Sequence, residues 1–84
     1  MNIQQLKSAV ILSEKLNFTR AATELNIVQP ALSRQIKQLE TDIGAVLFKR
    51  DKRNVELTPA GYYFIKEIKK LYHFLIKNTG ICGY

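Results

Sequence analysis

Residues 18–37 read FTRAATELNIVQPALSRQIK, and this stretch decides the fold. Phe18, Ala21, Ala22 and Leu25 recur at helical spacing and form the apolar face of a short helix over 18–25. The two alanines leave room for a second helix to cross closely. Asn26-Ile27-Val28 predicts a tight turn, because Asn tolerates the left-handed backbone that such turns use. Gln29-Pro30 opens a third helix, since proline fits a first turn where its missing N–H has no intrahelical partner. Leu32, Ile36, Leu39 and Ile43 make the buried stripe, and Gly44 ends the helix. Pro30, Ser33, Arg34, Lys37 and Thr41 fall on the other side, and no acid occurs from Asn26 to Leu39.

Upstream, Leu6, Ala9, Val10, Ser13 and Leu16 recur at spacings of three and four, which predicts a first helix over 3–16. Asn17 can cap the second helix through its side-chain oxygen. Downstream, Val46-Leu47-Phe48 and Val55-Glu56-Leu57 read as short strands. Between them, Lys49-Arg50-Asp51-Lys52-Arg53-Asn54 makes a basic hairpin tip. Thr58-Pro59 pairs an N-cap residue with a first-turn proline and starts a fourth helix over 59–77. Its apolar row is Phe64, Ile68, Leu71 and Leu75, widened by Ile65, Tyr72 and Ile76. The tail from Asn78 to Tyr84 reads as loop.

Eighty-four residues make a single domain with one core. Thirteen Lys and Arg against seven Asp and Glu give a net charge of +6. Such a field concentrates polyanions such as nucleic acid or anionic membrane, although a merely soluble basic domain has the same balance. The only cysteine, Cys82, and the only histidine, His73, rule out an internal disulfide and a thiolate zinc site. There is no glycine-rich phosphate loop, no metal-ligand spacing and no nucleophile–base pair. The sequence therefore argues against an enzyme and implies no cofactor. It has no signal-peptide pattern and no apolar run of the ~18 residues that span a bilayer, so it reads as cytoplasmic.

The fold class that follows is mainly α: a winged helix-turn-helix with a three-helix core and a small two-stranded wing, then a long helix. Two helices joined by a tight turn, the second exposing polar and basic residues, suit the major groove of B-DNA, which admits one α-helix. An ordinary solvated face on a helical bundle is the plainer alternative, and an interaction module built on the long apolar helix is another. Lys49, Arg50, Lys52 and Arg53 suit phosphates or the minor groove, or else form a charged turn that protects a strand edge. Arg34 fits a guanine or a phosphate equally, and Gln29 an adenine or a helix cap. Ser33 suits a phosphate or a bridging water. Arg20 is expected in a salt bridge with Glu24, Phe18 in the core, and His73 on the surface. Tyr62, Tyr63 and Tyr72 are expected in packing or dimer contacts, and Cys82 is an incidental thiol.

The chain closely resembles the N-terminal domain of the LysR-type transcriptional regulators. The resemblance rests on Phe18-Thr19-Arg20-Ala21-Ala22, Gln29-Pro30-Ala31-Leu32-Ser33-Arg34-Gln35-Ile36, Leu39-Glu40, Gly44, Leu47-Phe48, Arg50 and Leu57-Thr58-Pro59-Ala60-Gly61. It covers essentially residues 1–78. It implies a winged helix-turn-helix over 1–58, a linker helix that dimerises over 59–78, and the start of a hinge over 79–84. It places Gln29, Pro30, Ser33 and Arg34 nearest the bases or their flanking phosphates, Thr19 at the backbone, and Arg50 and Arg53 on the wing; Ala31 and Lys37 complete the expected DNA-binding residues. It also implies binding to an interrupted palindromic operator as homodimers or dimer pairs, association with the nucleoid, and a small-molecule inducer held by a separate C-terminal domain. Four departures stand out. Val28 replaces the usual Ser or Thr cap. Ala9 replaces a common Phe, with Ile11 refilling the space. The wing lacks its usual Gly, so its turn falls to Asp51 or Asn54. The effector domain is absent, so the chain reads as a fragment or truncated product.

Overall fold

In the computed structural model, residues 1–51 and 54–79 are described, with side chains to Leu71. The elements are α1 (Ile3–Lys15), α2 (Phe18–Leu25), α3 (Gln29–Ile43), β1 (Phe48–Arg50), β2 (Val55–Leu57) and α4 (Pro59–Thr79). Most helix ends are set by single residues. Asn2 and Gln5 form a reciprocal capping box on α1, with Asn2 Oδ1 accepting from the Gln5 amide at 2.8 Å and Gln5 Oε1 from the Asn2 amide at 3.2 Å. Leu16 closes α1 in the left-handed region, at φ 50°. That turns its side chain outward at 43% exposed, so Leu16 leaves the buried stripe on which its spacing placed it. Ser8 takes a buried place instead, and its hydroxyl donates to Gln35 Oε1 on α3.

Asn17 caps α2 by accepting from the Arg20 amide at 2.9 Å, and Asn26 ends α2 at φ 62°. Asn17→Ala should lower stability by about 1 kcal/mol, read as a lower melting temperature, while leaving the fold intact. An unchanged melting curve would mean that the cap contributes nothing. Val28 precedes α3 without a side-chain bond, and Gly44 closes it at φ 81°.

Ala21 and Ala22 are buried where α1, α2 and α3 meet, and their small side chains permit that close packing. Around them lie Ala9, Leu12, Leu32, Ile36, Leu39, Leu47, Phe48 and Ile65. Leu6, Ile11, Phe18, Leu25, Ile43 and Phe64 pack at the margin of this core.

The wing is one antiparallel pair, with Phe48 opposite Leu57, Lys49 opposite Glu56 and Arg50 opposite Val55. Its first strand starts two residues later than the expected 46–48. Val46 is exposed at 62%, and Leu47 bonds to side chains and to Thr58 instead of the sheet. Lys49 and Arg50 therefore lie on a strand, not on the hairpin tip. The Asp51 amide donates to the Asn54 carbonyl at 2.8 Å and closes the loop, while Lys52 and Arg53 lie outside the described residues.

Thr58 starts α4, its Oγ1 accepting from the Gly61 amide at 2.9 Å and its carbonyl from the Tyr62 amide at 2.8 Å. The helix runs two residues past the expected end, to Thr79. Ile65 was expected on the dimer face, but it is 3% exposed and belongs to its own domain's core. The first turns of α4 are thus rooted in the globular unit. Among the described residues, no helix is long and apolar enough to cross a membrane.

Candidate nucleic-acid interface

The surface presented by α3 follows from its buried stripe. Leu32, Ile36 and Leu39 point into the core, so Gln29, Pro30, Arg34 and Lys37 are exposed, with Ala31 and Ser33 half-buried beside them. Thr19 is exposed at the start of α2. The first turn of α3 has no side-chain cap, so the positive end of its dipole also faces this surface.

Seven of the expected contact residues line three grooves. One, of about 320 Å³, lies between the starts of α2 and α3 and the wing, and it brings together Thr19, Gln29, Ser33 and Arg50. A second, of about 390 Å³ on the other flank of α3, takes Ala31 and Arg34 with Gln5, Gln35 and Gln38. Lys37 lines a third with Glu40, Thr41 and Val46. Arg53 lies outside the described residues, as do the side chains of Tyr72, Leu75 and Ile76. His73 and Cys82 do so too.

The acids are mostly engaged away from the leading end of α3. Glu24 pairs with Lys15 at 3.8 Å, Glu14 with Lys69 at 3.8 Å and Glu67 with Lys70 at 3.5 Å. The first of these replaces the expected Arg20–Glu24 bridge. All three are exposed and contribute little stability. Near the far end of α3, the N-terminal amine and Gln38 both donate to Asp42 and hold its carboxyl below the usual carboxylate range. Glu40 Oε2 accepts from the Leu47 and Phe48 amides at 2.8 and 3.1 Å. Among the described residues, Arg34 and Lys37 have no ion-pair partner.

Three polar contacts escaped the sequence reading. They are the Ser8–Gln35 bond, the Glu40 clasp on the strand entry, and Arg50. The Arg50 guanidinium donates to Ser33 Oγ at 3.0 Å and sits 4.7 Å from the centre of the Phe18 ring. Ser8 carries a weak signal, as a polar residue next to the apolar pair Ala9-Val10. Glu40 carries one too, as the first acid after a carboxylate-free run.

Two helices at a tight turn, the second with a cationic open face, and a strand pair flanking them define a winged helix-turn-helix module. The chain belongs to the lysR family of bacterial regulatory helix-turn-helix proteins, which it matches over residues 3–62. It is 46% identical over 69 residues to the HTH-type transcriptional regulator AlsR of Bacillus subtilis (strain 168), a match that covers 82% of this chain and 23% of AlsR. Among solved structures, it resembles the BenM_DBD/catB site 1 DNA complex with a TM-score of 0.91 and 37% identity, over 96% of this chain and 91% of that one. The CbnR_DBD-DNA complex gives a TM-score of 0.89 and 34% identity, over 95% and 92%. The chain spans less than a third of the length of AlsR and of the similar regulators ClcR and TfdT.

Proposed function

We propose that this chain binds double-stranded DNA sequence-specifically and regulates bacterial transcription, with α3 in the major groove and the wing on the backbone or minor groove. The observation that carries the reading is the exposed, carboxylate-free leading face of α3, braced from behind by a continuous core. The DNA complexes of BenM and CbnR support it by similarity. In this reading Gln29, Pro30, Ala31, Ser33 and Arg34 meet base edges or adjoining phosphates. Lys37, Thr19, Arg50 and Arg53 serve the backbone or the wing contacts. In this reading the surface binds and does no chemistry.

Dimerisation runs through α4. Leu71 is half exposed and falls on the same side of α4 as Phe64 and Ile68, which leaves an apolar strip that a second copy would cover. Phe64 and Ile68 are half-buried at its root, and the row continues in sequence through Tyr72, Leu75 and Ile76. We place 59–78 as the linker helix and 79–84 as the start of a hinge to an effector domain that takes a small-molecule inducer in a longer protein. The longer protein would assemble as dimers or dimer pairs in the cytoplasm, at the nucleoid.

Selection from a random duplex pool tests this. The expected product is an interrupted inverted repeat, bound with an affinity that falls steeply with salt as counterions are released. Arg34→Ala should cost about 1–3 kcal/mol on the selected duplex and less on random DNA. Equal losses on both would show that Arg34 reads no base. A chain that self-associates but ignores duplex DNA at low salt would overturn the reading in favour of an interaction module.

A further inference from the structure

Arg50 stands out because a cation placed on the wing to meet phosphates should reach into solvent, and this one is tied back to the protein. Its guanidinium bonds Ser33 Oγ at 3.0 Å on α3 and lies 4.7 Å from the centre of the Phe18 ring on α2. One side chain therefore links the wing, the first helix of the pair and the reading helix, in the groove that Thr19, Gln29 and Asn54 also line. A planar fork of donors can lie flat over a ring and donate from its edge, whereas a lysine ammonium is a point charge without that plane.

The consequence falls on Ser33. A serine hydroxyl has one donor and two acceptor sites. Arg50 occupies one acceptor site and, being charged, polarises the O–H, which makes it a better donor and a poorer acceptor. We propose that Arg50 is a positioning residue: it fixes Ser33 as a hydrogen-bond donor toward an acceptor atom of DNA and sets the wing against α3. This deepens the DNA-binding reading and rests on it. The matching chemistry is an acceptor without a competing proton, either a phosphate oxygen or a purine N7, guanine O6 or thymine O4. Cytosine and adenine amino groups are disfavoured opposite Ser33.

The test uses the full chain and the duplex it selects. Arg50→Lys keeps the charge and removes the fork. It should weaken binding about tenfold, the cost of a charge-assisted bond. The salt slope should change by well under one unit, because no phosphate-neutralising charge is lost. Ser33→Ala should lose a similar factor, and the double variant should be no weaker than Ser33→Ala alone. Methylphosphonate linkages and 7-deazapurines, placed singly in the selected duplex, distinguish a phosphate from a base partner. Whichever substitution costs the parent its binding should cost Ser33→Ala nothing. Without DNA, the Arg50 side-chain protons should resonate upfield, shielded by the Phe18 ring, and Phe18→Leu should remove that shift in a chain that still melts cooperatively. Additive losses, parent-like binding by Arg50→Lys, or unshifted Arg50 protons would each overturn the proposal while the DNA-binding reading stands. A parent chain that selects no duplex would overturn both.

Discussion

Gly61→Ala is expected to lower the melting temperature by more than about 12 °C, a cost of about 3 kcal/mol or more. Taken alone, this substitution in a helix should help, because alanine is favoured over glycine by about 1 kcal/mol. Contact geometry reverses the sign. A Cβ on Gly61 would lie 2.0 Å from the carbonyl oxygen of Leu47 and 2.8 Å from its carbonyl carbon. Those are backbone atoms, and they are held: the same oxygen accepts from the Thr58 amide at 3.0 Å and from Thr58 Oγ1 at 3.3 Å. Relief requires α4 to move off the strand entry, and Ile65, one turn on, would leave the core with it. A domain of this size has a total stability of only about 5 kcal/mol, so the loss takes most of it. Gly44 is the control. A Cβ there meets nothing within 4 Å, and only its φ of 81° opposes a side chain. Gly44→Ala should therefore cost about 1 kcal/mol. If Gly61→Ala melts at or above the parent temperature, α4 does not sit on the Leu47 carbonyl.

Local chemistry made the helices legible. Asn17, Asn26, Gly44 and Thr58-Pro59 each do a job that needs no distant partner, and the observed limits of α2 and α3 follow from them. What depends on distant partners was not legible. The spacing that put Leu16 on a buried face could not foresee a left-handed closing turn. An apolar row on α4 shows that something must cover it, but not what. Ile65 is covered by its own domain, whereas Leu71, nearly two turns on, is half exposed. Val46-Leu47-Phe48 looks like a strand because it is apolar and β-prone. Its first two residues bond outside the ladder, because a carboxylate from α3 and a threonine from the start of α4 claim them. The basic face of α3 was readable as a face. The turning of Arg50 onto Ser33 was not, since the two are 17 residues apart.

That carboxylate belongs to Glu40, and Glu40→Ala is expected to destabilise the domain by about 2–4 kcal/mol. The magnitude comes from what the residue leaves behind. Glu40 Oε2 alone satisfies the amides of Leu47 and Phe48, and both residues are buried, at 1% and 2% exposed. Removing the side chain orphans two donors next to the core, each worth about 1–3 kcal/mol when unsatisfied. Glu40 is itself half-buried, so water entering the gap would recover part and keep the sum below the upper limit. Glu40→Gln keeps an acceptor oxygen but loses the charge, which about halves each bond, so its cost should be nearer 1 kcal/mol. The loss should also be local. The carbonyl of Glu40 accepts from Gly44 and Ala45, so one residue ends α3 through its backbone and aims the chain into β1 through its side chain. Hydrogen exchange should show the Leu47 and Phe48 amides losing protection first, ahead of α1. Since β1 carries Arg50, the wing would lose its fixed offset from α3, and affinity for a selected duplex should fall even at temperatures where the core remains folded. Full protection of both amides in Glu40→Ala would show that the strand entry is held without it.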